Sequence, residues 1–288
     1  MSRRARVLLG DSRLRLKLWG TRGSIASAGE GTVRYGGDTS CVEITTSTER
    51  TLILDAGSGI RRLGSKLKGS ERVDVLLSHL HMDHIQGLPF FAPLLDPQTE
   101  VHIWGPVSTM QGLRSRLSRY LSPPLFPVHV RDFPNVEFHD VPPGRFELDP
   151  VVIVAELVLH PGATLGYRLE ADNSVVAYIP DHEPALGNSD LPDHAEWTSG
   201  FQLAAGSDVL IHDAQYTDEE YSRRIGWGHT STSQLALFAE AANASRLVTF
   251  HHDPAHTDDE VDEQSTQLAS SLKKVELIAG VHELDVEV

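Results

Sequence analysis

The sequence predicts a layered α/β fold, of the mixed α+β kind, with its functional residues at one sheet edge. Three observations carry that reading. Short apolar, β-branched runs alternate with helical patterns along the chain. Run after run ends at His or Asp: Val73–Leu77 before His79, Val151–Leu159 before His160, Ser174–Ile179 before Asp181, and Leu247–Phe250 before His251. No repeat, low-complexity stretch or Gly/Ser linker divides the 288 residues, so residues 1–288 read as a single domain with its core from about residue 14 to residue 288. In layered α/β proteins strand ends gather at one edge, where functional loops collect.

Each element has its own signal. Leu14 to Leu18 alternates apolar and basic residues, as a half-exposed strand does. Cys41 to Thr46 and Thr51 to Leu54 are β-branched runs, the second ending at Asp55-Ala56-Gly57. Val73 to Leu77 is a short strand that leads into a histidine cluster. Val107 to Leu121 reads as a helix stopped by Ser122-Pro123-Pro124. Val151–Leu159, Thr164–Leu169 and Ser174–Ile179 read as strands, the last two joined by the turn Ala171-Asp172-Asn173. Val209–His212 is another strand, Ser231–Ala242 a helix with Ala, Leu and Phe on its buried stripe, and Leu247–Phe250 a strand. Thr257 to Leu272 reads as a helix whose first-turn acids complement the helix dipole.

Composition narrows the chemistry. With 25 basic and 40 acidic residues the formal net charge is -15, which argues against non-specific coating of nucleic acid or anionic membrane. The charge is uneven: the first 22 residues carry seven basic side chains and one acidic, and His251 to the end carries ten acids and two lysines. One cysteine, Cys41, excludes an internal disulfide framework and a zinc site built on several thiolates. Met1–Gly10 begins basic but holds only three consecutive apolar residues before Gly10, too short for a signal peptide. No run approaches the roughly 18 apolar residues of a membrane helix, so a reducing cytoplasmic location is expected. The conspicuous count is 15 histidines. Histidine is the commonest metal ligand and acid–base catalyst, so their placement matters.

Ser78-His79-Leu80-His81-Met82-Asp83-His84 places three histidines and an aspartate within six positions, directly after a strand. His79 and His81 are two apart, so extended backbone points both the same way. Asp83 and His84 are adjacent and can face a different centre. The pattern suits two neighbouring metal ions better than one. His160, Asp181 and His251, at other strand ends, complete two sets of nitrogen and oxygen donors. Such donors suit Zn²⁺, with Mn²⁺ or Fe²⁺ as alternatives. The bland reading is a polar surface loop rich in histidine, and the three further candidates weigh against it.

These residues resemble the metallo-β-lactamase superfamily, through the His-x-His-x-Asp-His cluster, His160, Asp181, His251 and the Leu54-Asp55-Ala56-Gly57 turn, over about Leu16 to His256. The resemblance implies an αββα sandwich with a dinuclear metal site at the edge of the two sheets. It implies one metal on His79, His81 and His160, a second on Asp83, His84 and His251, and Asp181 bridging them. Within the family, the commonest true β-lactamases place a cysteine in the second site. Cys41 lies outside every metal motif, so lactam hydrolysis is disfavoured.

Two segments are similar to the tRNase Z-like phosphodiesterase branch. Gly228-His229-Thr230-Ser231 resembles its His-Ser-Thr motif, and His212-Asp213-Ala214-Gln215 its His-Glu-Ala-Thr motif. The resemblance makes His229 a general acid oriented by Asp213, although Asp is shorter than the family's Glu. Gly20-Thr21-Arg22-Gly23-Ser24 and Gly36-Gly37-Asp38-Thr39-Ser40-Cys41 also resemble that branch, and read mechanically as tight turns into strands. The likeness breaks where that family inserts its tRNA-gripping arm. Only 20 residues separate His160 from Asp181, and they read as strand, turn, strand. The expected reaction is therefore hydrolysis of a small phosphodiester, a cyclic nucleotide or similar. A hydroxide activated between two metals and oriented by Asp83 and Asp181 would attack, and His229 would protonate the leaving alkoxide. Large nucleic acid and membrane are not expected partners, and a homodimer is left open. His182 and His252 are further candidates to reach substrate, and Arg114, Arg116 and Arg119 form a basic stretch of the kind usually found on a solvated helix face. The alternatives are a tRNA 3′-end endoribonuclease, a thioesterase or lactonase of the same fold, and a metal-dependent binding or sensor protein without turnover.

Overall fold

The central strands are buried at nearly every position, so each sheet has two covered faces. The computed structural model describes residues 13–187, 191 and 194–288; the Met1–Gly10 stretch behind the location reading lies outside them. The first half of the chain runs β1 (Arg15–Gly20), β2 (Cys41–Thr45), β3 (Thr51–Leu54), α1 (Ile60–Lys66), β4 (Arg72–Leu76), α2 (Met82–Ile85), β5 (Glu100–Pro106), α3 (Leu113–Leu117) and β6 (Val136–Val141). The second runs β7 (Gly144–Leu148), β8 (Val151–Leu157), β9 (Leu165–Ala171), β10 (Ser174–Ile179), α4 (Phe201–Ala204), β11 (Val209–Asp213), α5 (Asp218–Tyr221), α6 (Thr232–Ala241), β12 (Arg246–Phe250), α7 (Asp258–Ser271), β13 (Glu276–Ile278) and β14 (Asp285–Glu287). They form two seven-stranded sheets, ordered β14-β1-β2-β3-β4-β5-β6 and β13-β12-β11-β10-β9-β8-β7.

The layers follow from strand periodicity. Leu52 and Leu54 of β3 enter the core shared by the two sheets, with Val176 and Tyr178 of β10 and Val248 and Phe250 of β12. Ile53 between them faces the other way, into a second core with Ile60 and Leu63 of α1 and Leu113 and Leu117 of α3. On the opposite sheet Ala177, Ile179 and Leu247 pack under Leu235, Phe238 and Ala239 of α6 and Leu268 of α7. The result is helix, sheet, sheet, helix, as the resemblance implies. Strands β10, β11 and β12 are mutually parallel, so Asp181, Asp213 and His251 leave the sheet at one edge.

One expectation about the elements needs correction. Val107–Leu121 is not one helix. Val107 still pairs with the neighbouring strand, its N–H donating to Val141 O at 3.0 Å, and Leu113 N–H donates to the Asp140 carboxylate at 3.0 Å. A helix starts only after Gly112, as α3. Strands β5, β6 and β7 carry no expectation from the sequence. The α7 expectation matches closely: Thr257 caps it and Asp258, Asp259 and Glu260 fill its first turn.

A buried arginine ties the site edge together. Arg22, fully buried, donates to Gly36 O, Asp253 O and His256 O and pairs with Asp258 at 3.3 Å. It thereby joins the loop after β1 to the segment after β12. Replacing Arg22 by Ala removes the cation that faces a buried carboxylate and a donor from each of three carbonyls, and is expected to cost about 3–5 kcal/mol of stability in urea unfolding. A loss below about 1 kcal/mol would contradict this bracing role.

Candidate metal centre

Four loops at the shared sheet edge bring the seven residues of the cluster together. His79 follows β4, and His81, in extended backbone, immediately precedes α2. Asp83 and His84 lie in α2, so a change from extended to helical backbone within this short segment turns the two pairs toward different centres. His160 follows β8, Asp181 follows β10 and His251 follows β12. Donor atoms of His79, His81, His160 and Asp181 lie within 4.8 Å of one another, as do those of Asp83, His84, Asp181 and His251. Asp181 belongs to both sets.

The second nitrogen of most of these rings is committed elsewhere. His84 Nδ1 lies 2.8 Å from Asp55 Oδ2, His160 Nδ1 2.8 Å from Gly228 O, His251 Nδ1 2.9 Å from Gln215 Oε1, and His79 Nδ1 3.0 Å from Ser78 Oγ. Those partners fix ring orientation and turn each Nε2 inward. Asp55, named in the sequence only as part of a turn, is the most heavily used. Its carboxylate also accepts from Ser78 N, Ser78 Oγ and Tyr178 OH at 2.7, 2.8 and 2.8 Å. Asp55 and His251 both have left-handed backbone, with φ of 59° and 57°, the local strain often found at functional sites. Gly23 is required beside them: a Cβ there would stand 2.3 Å from His251 Nδ1.

Two charged rings balance two carboxylates. Burial would raise Asp83 and Asp181, but His84 and His251 close by hold both well below the usual carboxylate range. Conversely, burial lowers His84 and His251, yet Asp181 and Asp83 overcome it, and His251 is pushed up to about 9. Burial dominates at His79, His81 and His160 and keeps them neutral, the protonation state in which imidazole binds metals. Divalent cations fit this donor set. His79 Nε2, buried, has no hydrogen-bond partner among the described residues, and neither has Asp181 Oδ1, although His84 Nε2 stands 3.1 Å away. Oxygen and imidazole donors around an uncompensated buried atom are what a cation requires.

Beside these donors, His229 Nδ1 lies 2.6 Å from Asp213 Oδ2 and its ring stacks on His251 at 5.0 Å. The shorter Asp therefore reaches. A cleft of about 300 Å³ is lined by Ser24, His81, Met82, Asp83, Asp181, His229 and His251. His182 and His252 are not in it. His182 is fully buried with its Nδ1 2.9 Å from His212 Nε2, and His252 is buried with its Nε2 2.9 Å from Gly280 O. Both follow a cluster residue in sequence, and successive side chains diverge, so these two face inward. Asp55, Gln215 and Glu183 had no assigned role. Glu183 is buried and accepts from Gly226 N and Gly228 N at 2.9 and 2.8 Å, shaping the loop before His229.

Residues 50–252 match the family model described as the β-lactamase superfamily domain. The chain belongs to this superfamily. Ribonuclease Z of Streptococcus agalactiae is 26% identical over 248 residues, spanning 69% of this chain and 78% of that one. The metallo-β-lactamase fold protein YhfI from Bacillus subtilis superposes with a TM-score of 0.70 at 17% identity, over 96% of this chain and 100% of that one. A diphosphatase from the PhnP family does so with a TM-score of 0.69 at 19% identity, over 96% and 98%. With its His/Asp clusters, this superfamily member is a metal-dependent hydrolase. No described helix is long and apolar enough to cross a membrane.

The charge balance fixes how metal uptake depends on pH. His251 is protonated below about pH 9 until a cation displaces that proton. Metal affinity is therefore expected to rise with pH toward that value and to fall on acidification. Calorimetric titration of metal-stripped protein with Zn²⁺ near pH 7, in buffers of different ionisation enthalpy, should show release of about one proton or more per chain. Uptake without proton release would contradict the assignment.

Proposed function

We propose that the protein is a phosphodiesterase that uses two metal ions to cleave a small phosphodiester such as a cyclic nucleotide. The observation that carries this reading is the Asp213–His229 pair on the wall of the cleft. An alkoxide leaving from phosphorus is strongly basic and gains most from a positioned acid. A thiolate leaves readily, since a thiol is acidic near pH 8.5, so a thioesterase needs no such pair.

Two divalent cations, Zn²⁺ foremost, would be held by His79, His81 and His160 on one side and Asp83, His84 and His251 on the other, with Asp181 shared. When bound they supply Lewis acidity toward a phosphoryl oxygen and an ionised water near neutral pH. The chain's own residues supply the rest. Asp83 Oδ2 is held by the Ser24 N–H at 2.7 Å, so this carboxylate keeps a fixed edge on the cleft from which it would orient the attacking water. Asp213 is oriented in turn, accepting from Gln215 N at 3.0 Å and from Thr230 N and His182 N at 3.3 Å. A carboxylate only accepts, so His229 Nδ1 carries the hydrogen between them. His229 Nε2 is then the atom that delivers a proton to the leaving oxygen, and Asp213 is the counter-charge for the imidazolium.

A second reading, RNA 3′-end cleavage, draws on the similarity to ribonuclease Z. Against it, β9 and β10 form a direct hairpin through Asp172 and Asn173, so nothing is inserted between His160 and Asp181 to grip a folded RNA. The net charge of -15 also opposes a large polyanion.

Leaving-group dependence tests the acid. His229→Ala is expected to lower kcat/KM for an alkyl phosphodiester by about 10²–10⁴, and that for bis(p-nitrophenyl) phosphate by only a few-fold. Equal losses on both substrates would remove His229 from this role.

A further inference from the structure

The metal cleft has a volume of about 300 Å³. A larger hollow of about 680 Å³ adjoins it, lined by Leu80, Met82, Tyr120 and Leu125 together with Arg116 and Arg119. Met82 lines both spaces, and Leu80 and Met82 flank His81, so the wall of one continues into the other. The hollow left by Ala26–Asp38 and Arg62 shares no lining residue with the cleft, and its arginine already pairs with Asp38 and Glu283.

The hollow combines two chemistries. Of its lining, Met82 and Leu125 are 51% and 69% exposed, apolar surface that a flat ligand would cover. Tyr120 is fixed through its hydroxyl, which donates to Gln86 O at 3.0 Å, so its ring is set in place. Arg116 is braced by Pro106 O and Asp140. Arg119 is exposed and has no side-chain partner among the described residues, in a chain where acids outnumber bases 40 to 25. Arg61 and Arg114 are also exposed without a side-chain partner among the described residues, but neither lines this hollow; Arg119 beside its apolar and aromatic lining matches a planar ring that carries an anion.

We propose that this hollow is the second subsite of the enzyme, and that it takes a nucleotide portion with a terminal phosphate: the base on the Leu80, Met82, Tyr120 and Leu125 wall, the phosphate on Arg119. The inference rests on the phosphodiesterase reading, and narrows it to short nucleotide diesters bearing a second phosphate.

The test compares a dinucleotide with and without a terminal phosphate, on metal-loaded protein. Wild type is expected to prefer the phosphorylated form about tenfold in kcat/KM, through KM. Arg119→Glu is expected to bring that ratio near one. Arg114→Glu makes the same charge change on the neighbouring turn, outside the hollow, and is expected to keep the ratio. No preference in wild type, or equal loss in both variants, would overturn the subsite. So would a longer single-stranded RNA that outcompetes the dinucleotide. Calorimetric binding of a nucleoside 3′,5′-bisphosphate needs no turnover and separates the two claims. Binding weakened about tenfold by Arg119→Glu in a protein inert on every diester would keep the subsite and sink the phosphodiesterase. Turnover of diesters with binding insensitive to Arg119 would do the reverse.

Discussion

A carboxylate buried among imidazoles is the constraint from which the rest of this site follows. Asp181 is 1% exposed and lies between four rings, with His84, His251, His160 and His79 at 3.1 to 3.7 Å. A buried charge needs a partner of opposite sign. Two protonated histidines can serve, or cations can. Everything around Asp181 limits the second option to a fixed geometry. The outer nitrogens of four rings are held, left-handed backbone aims His251, and Arg22 clamps the loops that carry Ser24 and His251. This is the preorganisation that a catalytic centre needs before substrate arrives.

Global and local charge point in opposite directions here. The formal charge of -15 sums over the whole chain. The reacting centre is built differently, because neutral His79, His81 and His160 and the displaceable protons of His84 and His251 let it accept positive charge. An anionic substrate is compatible with an acidic protein if it is short enough to meet only the site.

The sequence showed much of this plainly and some of it not at all. Strands that end at His or Asp are a local pattern, and the parallel order of β10, β11 and β12 turns that pattern into one edge. The histidine cluster is equally local. What escaped was long-range. Asp55 meets His84 across 29 residues and Gln215 meets His251 across 36, and no periodicity marks such pairs. His182 and His252 misled because successive side chains diverge, so the neighbour of a cluster residue is turned away from the cleft. Val107–Leu121 misled because a leucine and arginine pattern looks helical until Asp140 and the β6 edge claim its first backbone N–H groups. Tertiary context overrides propensity there.

The most direct test of the two-cation account is anomalous scattering from crystals of the protein grown with Zn²⁺. Two peaks per chain are expected, one among His79, His81, His160 and Asp181 and one among Asp83, His84, Asp181 and His251, each at about 2.0–2.2 Å from its ligand atoms. A single peak, or peaks away from Asp181, would contradict it.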